Sequence, residues 1–153
     1  MACALALASL AFVVRHRDVQ TSIEHIDGSP AESGLAILLE LAEAALARQR
    51  LVAPAGANVY EFSLSALQLQ PDNPIALNRL REAFAPACED VERAINANQL
   101  DEAQRELTLL REYDPTNYTL LLLGGKLDAQ RALAVRADEA RAAILQARQA
   151  VRP

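Results

Sequence analysis

Residues 98–117 read NQLDEAQRELTLLREYDPTN, and the spacing inside this stretch decides the fold. Ala103, Leu107 and Leu110 recur at intervals of four and three, the period that gathers side chains on one face of an α-helix. Asp101 and Glu102 stand where a helix start favours negative charge, and Asp114-Pro115-Thr116-Asn117 supplies a turn. A helix is therefore predicted over 100–113, with Glu106, Arg111 and Glu112 facing out.

Working outward, residues 66–74 read ALQLQPDNP and close in the same way. Pro71-Asp72-Asn73-Pro74 is a turn, Asn73 can cap the following helix and Pro74 can open it. The preceding helix is predicted over 58–70, with Val59, Phe62, Ala66 and Leu69 inward. The following one runs over 74–97 on the stripe Leu77, Leu80, Phe84, Ala87, Val91 and Ala94. Pro86 lies inside that helix. An interior proline removes a backbone hydrogen bond and clashes, so a kink or two abutting helices are expected there.

Upstream, Ser29-Pro30-Ala31-Glu32 has the form of a capping box. It opens a helix over 30–50 with Leu35, Leu38, Ala42, Ala45 and Leu46 on one face. VAPAGAN at 52–58 is a loop. Downstream, a final helix runs from about 117 to 149. Gly124-Gly125 inside it read as a helix end or a close backbone contact, because GGKLD lacks the ending of a phosphate loop.

Composition agrees with these helices. The chain has 153 residues and is 52% hydrophobic but only 4% aromatic, without tryptophan. Alanine and leucine, both strong helix formers, dominate. The net charge of −5 is spread along the chain, so no basic face for nucleic acid is expected. Cys3 and Cys88 form no metal-binding pair. His16 and His25 lie nine positions apart without a neighbouring cysteine. Serines 63 and 65 have no nearby histidine, and the acidic pairs suit helix starts and surfaces. No enzyme activity, cofactor or metal ion is expected.

The N-terminal stretch ACALALASLAFVV at 2–14 carries no charged side chain. As a helix it spans about 20 Å, against the roughly 30 Å of a bilayer core. Three readings stand: the far half of a membrane span after an internal start, an atypical signal or interfacial anchor, or an alanine-rich helix in water. Arg15, His16 and Arg17 follow at once, as at a membrane edge. Residues 15–29 read as a linker.

Ala103, Leu107, Leu110 and Pro115, at intervals of four, three and five, resemble the second helix of a tetratricopeptide repeat (TPR). There a small residue lets two helices approach and a proline sets the angle of the next. NQLDEA resembles that family's inter-helix turn, with Asn98 where glycine is usual. Ala66 and Pro71 keep the last of these spacings, whereas Ser63 replaces a large residue. Pro71 and Pro115 are 44 positions apart, wider than the family's about 34. In layout, the apolar start, the linker, the LAEAALARQRLVAPAGAN helix and loop and the two turns resemble the TPR-like region of single-span envelope proteins of Gram-negative bacteria, among them TonB-type energy transducers. The proline-rich spacer and receptor-binding domain of the TonB family have no counterpart here.

The resemblance implies an all-α protein whose antiparallel helix pairs stack as a short TPR-like array over 30–123, closed by a capping helix over 124–153. It implies a scaffold for another protein or peptide, membrane-associated through 1–14 in the bacterial periplasm or inner membrane. A periplasmic region of a TonB-type transducer and a soluble helical oligomer are the rivals. Gln130 and Arg141 interrupt the heptads of a dimer through the last helix. Arg79, Glu82, Glu89, Glu92 and Arg93, on the polar face of the third helix, are the candidate partner surface. Ala66, Pro71, Ala103, Leu107, Leu110 and Pro115 carry the packing.

Overall fold

Asparagine side chains start three of the helices. The computed structural model describes residues 30–150. These form five helices, α1 (Pro30–Ala47), α2 (Val59–Leu69), α3 (Pro74–Asn96), α4 (Leu100–Tyr113) and α5 (Tyr118–Ala150), with no strand among the described residues. The apolar segment 1–14, the linker 15–29, Cys3, both histidines and the capping Ser29 lie outside the described residues.

Asn58 Oδ1 accepts the Glu61 amide at 3.0 Å and so caps α2. Asn73 Oδ1 accepts the amides of Ile75 and Ala76 at 3.1 and 3.0 Å at the head of α3. Asn117 Oδ1 accepts the Thr119 amide at 2.9 Å at the head of α5. Such bonds satisfy donors that a helix start leaves without an intrahelical partner.

The turns before α3 and α5 are the same structure built twice. The Gln70 amide donates to Ala66 O at 2.9 Å, and the Asp114 amide to Leu110 O at 3.0 Å. Asn73 Nδ2 donates to Gln70 Oε1, and Asn117 Nδ2 to Asp114 Oδ2, each at 2.9 Å. The ends of α1 and α3 also match. Gln49 and Asn98 adopt left-handed φ of 56° and 59°. The Arg50 amide reaches Ala45 O at 3.0 Å and the Gln99 amide reaches Ala94 O at 2.9 Å, the wide closing bond of a Schellman end.

Packing follows chain order. Each helix packs on the next, and α1 on α3, α2 on α4 and α3 on α5; α1 meets neither α4 nor α5, and α2 does not meet α5. One core runs through the stack. Val59, Tyr60, Leu80, Val91, Ala103, Leu107 and Leu110 are all fully buried in it. Ala42 and Ala66 are also fully enclosed, the size at which helix backbones approach closely. The Tyr60 hydroxyl donates to Leu80 O at 3.2 Å, and its ring meets Tyr113 edge-on with centroids 6.2 Å apart, a geometry aromatic pairs favour.

Several expectations differ from what is observed. Leu69, expected inward, is exposed at the end of α2. Of the two alternatives at Pro86, abutting helices are not found, since α3 continues through it as one helix; Ala83, Ala87, Cys88 and Val91 are buried on either side of the exposed proline, so tertiary packing holds the turn the missing bond weakens. Arg111 is half-buried, with Nη2 donating to Leu120 O at 3.3 Å. Glu106, expected to face out, is buried. Of the two alternatives for Gly124-Gly125, the helix end is not found, since α5 runs through both. Gly124 is a close contact instead, because a Cβ there would run into the Arg111 guanidinium, whereas Gly125 faces open space. α5 therefore crosses the expected 123/124 boundary unbroken, and its residues 135–150 are exposed throughout.

Candidate functional site

The long α1–α2 loop is laced to α4 by one side chain. Leu51 and Val52 are buried under it, and the Val59 and Tyr60 amides donate back to Arg50 O and Leu51 O at 2.9 and 3.1 Å. Arg105 Nη2 donates to Val52 O at 2.6 Å. The same guanidinium holds Glu102 through two bonds of 2.6 and 3.0 Å and reaches Glu61 at 3.3 Å. Glu61 also accepts the Gly56 amide, and Asn58 Nδ2 donates to Pro54 O at 3.0 Å. The Arg105 hydrogen bonds hold the Glu102 carboxyl below its usual range, and Glu102 in turn raises the Arg105 guanidinium.

Beside it lies a cleft of about 360 Å³ lined by residues of the α1–α2 loop, α3 and α4. Gln49 and Ala53 line the loop side, Asp90, Arg93 and Ala97 the α3 side, and Glu106 the α4 side. Arg93 Nη1 donates to Asp90 Oδ1 at 2.6 Å. Glu106 is only 4% exposed, and its Oε2 has no hydrogen-bond partner among the described residues. Burial pushes its carboxyl up to about 7; Glu102 and Asp90 add to the shift, and Arg105 and Arg93 oppose it. The signal was present in the sequence. Glu106 lies three residues after Ala103 and four before Leu110, on the very stripe that α4 buries.

A second cleft, about 280 Å³, lies between α3 and α5 and is lined by Phe84, Cys88, Glu89, Glu92, Thr119 and Leu123. Burial pushes the Cys88 thiol up to about 11, so the thiolate that would react is scarce.

The five residues assigned to a partner surface divide among these features. Arg79 turns to α1, where Nη1 donates to Leu39 O at 2.6 Å and Nη2 pairs with Glu43 at 2.7 Å. Glu89 and Glu92 line the α3–α5 cleft, and Glu92 also pairs with Lys126 at 2.6 Å. Arg93 lines the Glu106 cleft. Glu82 is exposed. Of the packing residues, Ala66, Ala103, Leu107 and Leu110 are fully buried, and Pro71 and Pro115 sit exposed in the repeated turns. Among the described residues no group of acidic, histidine and cysteine side chains could hold a metal ion, and no helix is long and apolar enough to cross a membrane.

No protein-family model matches the chain, and no curated protein or solved structure matches it.

Proposed function

We propose that this chain is a short TPR-like array of antiparallel helix pairs that acts as a non-enzymatic scaffold for another polypeptide, tethered near a bacterial envelope membrane through residues 1–14. The observation that carries the reading is the packing order: each helix touches only its next and next-but-one neighbours. That one-dimensional connectivity characterises stacked helical repeats, which use extended surfaces to bind proteins. The turn repeated at Asn73 and Asn117 and the enclosed Ala66 and Ala103 support it. The partner surface is then the two flanks of α3, where Glu89 and Glu92 line one cleft and Asp90 and Arg93 the other.

Capture on the immobilised full chain, followed by mass spectrometry, tests the scaffold. A specific polypeptide should be retained and then lost from the Glu89→Lys/Glu92→Lys double variant, whose helix content by circular dichroism stays unchanged. Retention indifferent to that charge reversal would remove α3 from the interface, and no retained polypeptide would remove the scaffold role. For the tether, deletion of residues 1–14 should release the protein from membrane fractions; an unchanged distribution ends that part of the reading.

A further inference from the structure

Glu106 is a carboxyl with one buried oxygen that nothing among the described residues satisfies. Buried polar atoms are nearly always paired, and an unpaired one calls for a reason. The charged groups facing it come from two helices, Asp90 and Arg93 on α3 and Glu102 and Arg105 on α4. They already pair among themselves, Arg93 with Asp90 and Arg105 with Glu102. Glu106 is therefore the odd charge of the group. The cleft also opens beside Gln49, just past the end of α1, and beside Ala97 at the end of α3. Helix C-termini carry partial negative charge and favour cations. The volume, about 360 Å³, falls within the range of about 300–1,000 Å³ common for ligand sites.

We propose that the Glu106 cleft receives a primary ammonium group, that of a lysine side chain or a free chain N-terminus, from the polypeptide this scaffold binds. A single unpaired oxygen suits a compact point charge, whereas a guanidinium is recognised best by two oxygens side by side. The identity of the ligand rests on the scaffold reading; the cation site itself rests on the cleft. In the unliganded chain below about pH 7 a proton on Glu106 neutralises the site, and the incoming ammonium replaces it.

Three capped or uncapped probes separate the sources: acetyl-Ala-Lys-Ala-amide, Ala-Ala-Ala-amide with a free amine, and acetyl-Ala-norleucine-Ala-amide, which has no cation. Titration into the full chain, followed by amide chemical shifts of Gln49, Ala53, Gln99 and Glu106, reads the binding. Saturable shifts are expected with a cationic probe and not with norleucine. If the lysine probe alone binds, the source is a side chain; if the free amine alone binds, it is a chain end. Because only the deprotonated fraction of Glu106 accepts the cation, affinity should rise by about tenfold or more between pH 5.5 and pH 8. Glu106→Gln should abolish both the binding and its pH dependence. Ala97→Phe, which fills the cleft from the exposed end of α3 and leaves Glu106 in place, should abolish binding as well. Equal response to norleucine, or binding that survives Glu106→Gln, overturns the proposal, as does the absence of saturable shifts with either cation. Parallel capture with Glu106→Gln separates the two ideas. A polypeptide retained equally by both proteins leaves the scaffold standing without the cleft; probe binding without any retained polypeptide does the reverse.

Discussion

At Glu106 the molecule holds a proton it would lose in water. The folded carboxyl titrates near 7 against an ordinary value of 4.5, so between those values the folded chain binds more protons than the unfolded one. Stability then falls as pH rises through that window and levels off above it. At about 1.4 kcal/mol per pH unit the loss amounts to about 3 kcal/mol. Glu106→Gln should therefore stabilise the protein at pH 8, by up to that amount, and have little effect below pH 4.5; urea unfolding at the two pH values checks it, and a gain equal at both would refute the burial argument. The neighbouring Glu102 shifts the opposite way because Arg105 bonds to it. Which of two glutamates on one helix is buried was legible from the spacing to Ala103 and Leu110, yet a charged residue is usually assigned to the surface. The Arg105 clasp was not legible, since its acceptor, Val52 O, lies 53 positions away on a loop whose path only the folded chain defines.

Among the elements, α4 has the bounds that its apolar spacing predicts, and the turns before α3 and α5 follow from Pro71, Asn73, Pro115 and Asn117. Local signals suffice there, because caps and turns are decided by a few adjacent residues. The sequence leaves alternatives at Pro86 and at Gly124-Gly125, and the choice between them depends on neighbours that only the folded chain brings together. The glycines give a matched test. Gly125→Ala meets nothing and should stabilise α5 by about 1 kcal/mol through helix propensity alone. Gly124→Ala gains the same propensity but displaces the Arg111 guanidinium from Leu120 O, so its net effect should be clearly smaller. Thermal unfolding of the two variants decides this, and equal gains would mean that Arg111 contributes nothing.

Across the whole molecule, the all-helical class was readable from composition and period, whereas the order of packing required the structure. The last part of α5, residues 135–150, projects beyond that packing, about 24 Å of helix at about 1.5 Å per residue. Ending the chain at Arg136 should leave the urea midpoint within the about 0.5 kcal/mol typical of surface changes, at low and at high protein concentration alike. A destabilisation that grows with concentration would reveal a second copy seated on Ile144 and Leu145, the exposed large apolar side chains that the truncation removes. The packing order also governs how the chain comes to fold. No helix waits for a partner more than two places along, so little loop must close before native contacts form, and folding should take milliseconds or less rather than seconds. On a ribosome, α1, α2 and α3 would have their mutual contacts available while α5 is still being synthesised, and the nascent chain would bury its core one helix at a time.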